Sequence, residues 1–482
     1  MLKRFFTDSA YYGITGIMSR GISIFLVPFY TRVFTPADYG IIDLMAIIGA
    51  IVGIIVPMEI TQAVALFFSD ADDASKKKLV ASVGLIFTVV TFMIFGCIAL
   101  SISGPIVHLT LANIIGLNLF RMAVISMVFQ GLYYFIQNQI RWRLEPKTYS
   151  LVAITYTITT VSLTIFFVLF HKTGIIGVFY AQILGGFMAA VLGFALTRSS
   201  YGYLFQRALL VNMLKFSIPL VPSGIGVFFI NYAQRIQITK LLTLTDLGLF
   251  GIGTRIASLV TVVNQGFQSS ISPLIYNNYK KESTPFEIVR IFKAYLFFAL
   301  IFIVSLSIFS RELLTILTTK AYYSAYIFVP FLLADRLFSE VYVFFPGLSL
   351  AKKTKFIAII NISGAGFAIV TSYFLVSTYG TIGAAIGSLT TSILLFIINF
   401  HFSQKYYKVP HPVGLYALLL LLATITVIAS YMIPFTSLLF VVVVKSTLLL
   451  IFISIIFYKL LGINRLLEII KSLLKKNEPG GK

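Results

Sequence analysis

Within the first twelve long apolar runs of this 482-residue chain, nine charged side chains stand where their chemistry matters most: Arg20, Arg121, Arg235, Arg255 and Arg336 against Asp43, Glu59, Asp335 and Glu340. An arginine at the centre of a membrane-spanning helix costs about 2.5–3.5 kcal/mol on insertion scales, so such residues usually face a bundle interior or a watery cavity. A guanidinium grips phosphate oxygens in bidentate fashion, which makes the five arginines candidate cavity residues for a phosphate-bearing cargo. The four carboxylates are candidate sites for a coupling proton or sodium ion, and Asp43 and Glu59 are also candidate partners of Arg20. In the first run, which contains 14-ITGIMSRGISIFLVPF-29, Arg20 shares one helical face with Tyr12, Thr15, Gly16, Ser19 and Ser23, a face expected to look into the cavity. Arg235 lies near enough to the outer surface to snorkel. Asp335 and Arg336 are adjacent and point to different faces, so no pair is expected there. Lys445, alone in 438-LLFVVVVKSTLLL-450, is expected to lie against the core or snorkel outward. Tyr133, Tyr134, Gln137, Asn138, Tyr156, Tyr180, Gln182, Asn264, Gln265 and Gln268 add aromatic and hydrogen-bonding surface that suits sugars. No nucleophile motif, P-loop or metal box accompanies these residues, so no catalytic residue, metal site or cofactor is expected.

The elements that must position these groups are membrane helices. With 59% hydrophobic and only 11% charged residues, a soluble globular chain is excluded, and no short alternating strand pattern recurs, which excludes a β-barrel. The expected class is an all-α integral membrane protein of about fourteen spans, each roughly 20 residues as a bilayer of about 30 Å requires. They lie near 9–31, 40–66, 79–102, 116–138, 149–170, 175–197, 215–239, 248–272, 291–309, 324–348, 356–378, 382–402, 413–433 and 437–458. The start, MLKRFFTDSA, reads as part of a retained first helix and not as a cleaved signal. The net charge of +21 does not point to nucleic acid. With the N-terminus inside, cytoplasmic segments hold 26 of the 37 basic residues and external ones five. That asymmetry places both termini in the cytoplasm. Cys97 is a single cysteine in an apolar run, and four scattered histidines have no metal-ligand spacing. The tail 459–482 is basic and amphipathic and reads as an interfacial helix.

An internal repeat sets the expected architecture. Shifted by 208 positions, 31-TRVFTPADYG-40 falls on 239-TKLLTLTDLG-248, with Thr31/Thr239, Thr35/Thr243, Asp38/Asp246 and Gly40/Gly248 identical. A second match, at 206, sets 174-GIIG-177 on 380-GTIG-383. The expected domains are two parallel six-helix lobes, 1–206 and 207–412, then appended helices in 413–458 and the tail 459–482. Parallel repeats are used by transporters that rock one lobe against the other, with a cavity between them.

The repeated T-x-x-D-x-G motif, as 35-TPADYG-40 and 243-TLTDLG-248, joins 217-SIPLVPSGIG-226, 249-LFGIGTRIASLV-260 and 346-PGLSLAKKTK-355. Over nearly the whole chain, these stretches and the helix count resemble the polysaccharide exporter branch of the multidrug/oligosaccharidyl-lipid/polysaccharide (MOP) exporter superfamily, and within it a Wzx-like O-antigen or repeat-unit flippase. The resemblance implies a bacterial plasma-membrane protein whose cargo is an undecaprenyl-diphosphate-linked oligosaccharide, with membrane lipids and a polysaccharide polymerase complex as partners. It also implies that Arg20 and Arg255 are cationic cavity residues. Two departures matter. Gln234-Arg235 stands where relatives often read Asp-Arg, which weakens an ion pair at that place. Span two offers only Asp43 and Glu59 where lipid II flippases carry a basic residue, which counts against lipid II. The competing readings are a cation-coupled drug antiporter of the same superfamily, which is usually content with twelve spans and an acidic cavity, and a non-transport factor or enzyme of glycan assembly. External loops of at most about 10–15 residues argue against the latter.

Overall fold

The computed structural model describes residues 26–108, 115–202, 205–433 and 437–461, apart from positions 262, 265–266, 269–270, 272–274 and 276–277. Arg20, the face it shares, Gln265 and residues 462–482 of the tail lie outside the described residues. Among the described residues every regular element is a helix. The longer ones are α1 (Pro36–Ile55), α2 (Ile60–Asp70), α3 (Ala74–Ser101), α4 (Leu117–Trp142), α5 (Pro146–Ile165), α6 (Ile175–Thr197), α7 (Arg207–Ser217) and α8 (Val221–Leu241). There follow α9 (Leu244–Ala257), α10 (Thr284–Ile308), α11 (Ser310–Leu317), α12 (Val329–Glu340), α13 (Thr354–Tyr406), α14 (Val413–Tyr431) and α15 (Leu438–Leu461). Ten described helices, some of them joined segments, are long and apolar enough to cross a membrane. They fall on expected spans two to seven, nine and eleven to fourteen.

The chain forms two compact units interleaved along the sequence. The first comprises Met1–Arg255, Leu317–Ala325 and Lys355–Thr391, and the second Ile256–Ile316, Tyr326–Thr354 and Ser392–Lys482. In the first, α6 lies along α4 and α5, and Ile60, Val64, Val83, Phe135, Ile140, Val152, Ala189 and Met213 form a buried cluster. In the second, α10 is central and packs on α12, α14 and α15. Lys445 of α15 does more than the expected packing or snorkelling: its ammonium donates to Glu312 of α11 at 2.7 Å, and both side chains are buried.

Both copies of the repeated motif start a helix in the same way. Thr35 and Thr243 are the N-terminal caps of α1 and α9. Each threonine hydroxyl lies 3.2 Å from the amide of the aspartate three residues on, and the aspartate accepts from the threonine amide at 2.9 and 3.1 Å. This reciprocal capping box satisfies orphan helix donors with two residues. The glycine that completes the motif has a different reason. A β-carbon on Gly40 would stand 2.1 Å from the Leu244 carbonyl oxygen, and one on Gly248 would stand 1.8 Å from that of Pro36. Since Pro36 and Leu244 are themselves 208 positions apart, the two helix starts cross backbone to backbone about a local two-fold axis. The second repeat also matches in conformation. Gly174 (φ 64°, ψ −146°) precedes α6, and Gly380 (φ 58°, ψ −137°) interrupts α13. Both lie in a region of backbone space open essentially to glycine alone, so the 53-residue α13 is two helices meeting at Gly380.

Span two, expected as one helix over 40–66, is broken. Pro57 supplies no amide donor, and the next two residues, Met58 (φ 49°) and Glu59 (φ 54°), are left-handed before α2 begins. For non-glycine residues this conformation is uncommon and costs of order 1–3 kcal/mol each.

Candidate functional site: a polar cavity in the first unit

The break in span two opens onto a cavity of about 520 Å³ within the first unit, inside the about 300–1,000 Å³ range of small-molecule sites. Its walls come from seven helices and the break between α1 and α2. α1 contributes a face of small residues, Ala46, Gly49, Ala50 and Gly53, and no described atom lies within 4 Å of where a Gly53 β-carbon would be. α4 contributes Ser126, Gln130, Tyr133 and Tyr134, the first three spaced by three or four along one face. Thr61 of α2, Thr88 of α3, Tyr156 of α5 and Gln182 of α6 complete the polar lining with Glu59 and Arg255.

Three arrangements shape this lining. Gln130 Nε2 donates to Gln182 Oε1 at 3.1 Å, which holds the two amides side by side and leaves a carbonyl and an amino group for other partners. The Tyr133 and Tyr156 rings stack in parallel, 4.4 Å apart and 11° from coplanar. Arg255 of α9 lies with its guanidinium 5.1 Å from the Tyr39 ring centre and 5.7 Å from that of Tyr30, a cation–π cradle that orients a charge taken from water. Gly224 of α8 leaves room for the Glu59 carboxyl, since a β-carbon there would stand 2.9 Å from Oε1.

Beside the cavity, Asp43 of α1 accepts from Arg235 Nη1 of α8 at 3.0 Å, and Arg235 Nη2 donates to Thr254 Oγ1 of α9 at 2.7 Å. Arg235 therefore does not merely snorkel. The weakness expected from Gln234-Arg235 is met by a carboxylate 192 positions away in the chain. Gly251 opposes Asp43 closely, at 3.4 Å from an added β-carbon to the carboxyl carbon, so the pair is enclosed by the α1–α9 crossing. The second carboxylate oxygen of Asp43 is buried without a hydrogen bond.

The structure thus brings Glu59 and Arg255 to one cavity and pairs Asp43 with Arg235 at its edge. It leaves Arg121 exposed, its Nε donating to Ser103 Oγ at 3.0 Å. Asp335, Arg336 and Glu340 belong to α12 in the second unit. Asp335 accepts from the Ser392 hydroxyl, and Arg336 Nε comes within 3.9 Å of Asp335 Oδ2, so these neighbours do approach although their side chains start on different faces. Gln130, Tyr30, Tyr39 and Thr254 are site residues that residue type alone did not single out. The three-to-four spacing of Ser126, Gln130 and Tyr133 was the available signal for Gln130.

Several solved structures of membrane flippases and transporters share this fold. The fold is similar to that of a structure titled lipid II flippase MurJ, inward closed conformation, with a TM-score of 0.73 at 17% identity over 93% of this chain and 99% of that one. It is similar also to an inward-facing multidrug resistance MATE family transporter of the MOP superfamily, with a TM-score of 0.60 at 14% identity over 80% and 94% of the chains. The Vibrio cholerae MATE transporter VcmN gives 0.61 at 17% over 84% and 96%. A protein of the Haemophilus influenzae Lsg locus is 22% identical over 289 residues, 58% of this chain and 67% of that one. Residues 29–327 match the family model described as Polysaccharide biosynthesis protein. The chain belongs to that family, and its fold is similar to those of the flippase and transporter structures above.

Proposed function

We propose that this protein is a flippase carrying a polyprenyl-diphosphate-linked oligosaccharide from the cytoplasmic to the outer leaflet of a bacterial plasma membrane by alternating access, for surface polysaccharide biosynthesis. The observation that carries this reading is the placement of the Arg255 guanidinium in the wall of a cavity that also holds stacked tyrosines and a paired-amide shelf. Arg255, together with Arg20, binds the diphosphate; the Tyr133/Tyr156 stack and the Gln130/Gln182 amides meet the sugars; the isoprenoid stays in the bilayer. Arg121, Arg235 and Arg336 are subsidiary cationic positions, with Arg235 acting through Asp43. The coupling ion is bound at one of Glu59, Asp43, Asp335 and Glu340. The reading uses fourteen spans, cytoplasmic termini, lobes 1–206 and 207–412, and handover to a polysaccharide polymerase complex. Family membership supports the polysaccharide pathway, and the acidic side chains of span two weigh against lipid II as cargo.

The test joins genetics to chemistry. Deletion of the gene should make a lipid-linked oligosaccharide accumulate, and its analysis identifies the cargo. Losing a charge-assisted hydrogen bond of about 1.5–3 kcal/mol weakens binding roughly ten- to a hundredfold. Arg255→Ala and Arg20→Ala should therefore lose export at normal membrane levels, and the lysine variants should retain part of it, because lysine keeps the charge but not the bidentate fork. Fully active, well-expressed alanine variants would overturn the binding roles.

A further inference from the structure

Helix α12 stops at Glu340, and the chain continues through the 3-10 turn Val341–Phe344 to Pro346. A helix ending here leaves carbonyls without intrahelical partners and presents the negative end of its dipole. A carboxylate at that end has the unfavourable sign, so something must offset it. What the structure supplies is neutral. The Thr261 hydroxyl donates to Glu340 Oε1 at 2.8 Å, the Asn264 amide donates to Oε2, and Gln268 Nε2 donates to the Glu340 carbonyl at 3.0 Å. Tyr295 of α10 donates its hydroxyl to Asn264 Oδ1 at 2.6 Å. That bond fixes which way the amide faces and keeps its amino group on the carboxylate.

Among the described residues no lysine or arginine lies within ion-pair distance of Glu340. Arg336, one turn earlier on α12, is drawn to Asp335. The titratable groups facing Glu340 from packed elements are Tyr295, through Asn264, and Tyr342 in the wall of a cavity of about 390 Å³ onto which Glu340 opens; Asp335 and Arg336 share its helix. The other carboxylates differ: Asp43 has an arginine, Asp335 has a serine hydroxyl and Arg336, and Glu59 lines the large cavity.

We propose that Glu340, held by Thr261 and Asn264 and oriented through Tyr295, is the proton-binding site that couples the transport cycle; the coupling rests on the flippase reading above, the proton site does not. A proton from cavity water adds to Oε1, and the resulting O–H donates to Thr261 Oγ1. Only the threonine hydrogen has to turn away, because a hydroxyl both donates and accepts, whereas the Asn264 bond to Oε2 is unchanged. The site therefore serves both charge states without moving a heavy atom. It suits a proton and not a metal ion, because the groups turned on the carboxylate are donors, whereas hard cations need several converging oxygens.

Infrared difference spectroscopy of the purified full-length protein in lipid nanodiscs, titrated in pH, tests the site. The expected result is a protonated-carboxyl band that titrates in the wild type and in Asp335→Asn and is lost in Glu340→Gln. Tyr295→Phe, a milder change, should keep the band and raise its midpoint by about one pH unit, a tenfold gain in proton affinity as the carboxylate loses its oriented donor. A titrating band unchanged in Glu340→Gln would overturn the proposal, as would a band displaced by sodium chloride at constant pH. In proteoliposomes, a pH gradient should speed movement of the lipid-linked oligosaccharide in the wild type and not in Glu340→Gln. If the band behaves as expected but the wild type moves no such lipid, the proton site stands and the cargo reading falls.

Discussion

Asp43 and Arg235 show how much a single pairing decides. Their side chains are only 13% and 15% exposed, and Arg235 spends its second terminal nitrogen on Thr254. Removing one member of a buried pair leaves the other charge uncompensated, which is destabilising by about 3–5 kcal/mol, whereas replacing both by apolar groups of similar size is often nearly neutral. Asp43→Asn should therefore lower the thermal midpoint of the purified protein markedly, and the double variant Asp43→Leu, Arg235→Met should recover most of it. A midpoint in Asp43→Asn equal to wild type would show that the pair holds nothing together. Arg255 is placed differently. Its guanidinium rests on two tyrosine faces at the cavity wall, so its substitution should be read in transport and not in stability.

At the scale of elements, the local two-fold crossing of α1 and α9 depends on two glycines whose hydrogen atoms touch the opposite helix. Helices in a bilayer gain little from hydrophobic exclusion and associate through close backbone approach, which small residues permit. Gly248→Ala should push the crossing apart and lower both membrane yield and thermal midpoint. Gly53→Ala, placed where a β-carbon meets open space, is the matched control and should cost only what backbone propensity dictates, and alanine is the better helix former. Equal behaviour of the two variants in a melting assay would refute the close-contact account. The same scale explains two features that hydropathy hid. Span two breaks at Pro57 because a missing donor and two left-handed residues follow one another, a conformation that average hydrophobicity does not register. Glu312 lies between the expected spans 291–309 and 324–348, yet α11 sets it against Lys445, so a charge that looked solitary in its run has a partner 133 positions away.

For the whole molecule the testable matter is topology. Single cysteines placed on a Cys97→Ala background at Lys77 and Thr245 should differ toward an impermeant thiol reagent in intact cells: Thr245→Cys should label and Lys77→Cys should not. The reverse pattern would invert the orientation inferred from charge asymmetry. Much of this protein is legible along the chain. Apolar run length, the excess of lysine and arginine in alternate connections and the 208-residue self-match depend on each residue's own cost in the bilayer and on covalent order, so they need no coordinates. They were enough to expect membrane helices at the places now observed, and to single out Arg255 as a cavity candidate and Glu59 as a coupling-ion candidate. Partners are another matter. That Asp43 meets Arg235, that Tyr295 reaches Glu340 through Asn264 and that Gln130 faces Gln182 follow from helix crossings between residues tens to hundreds of positions apart. Any polar face along a helix is compatible with several neighbours, and only close packing selects one, because a buried donor or charge left without its partner costs more than the fold can spare.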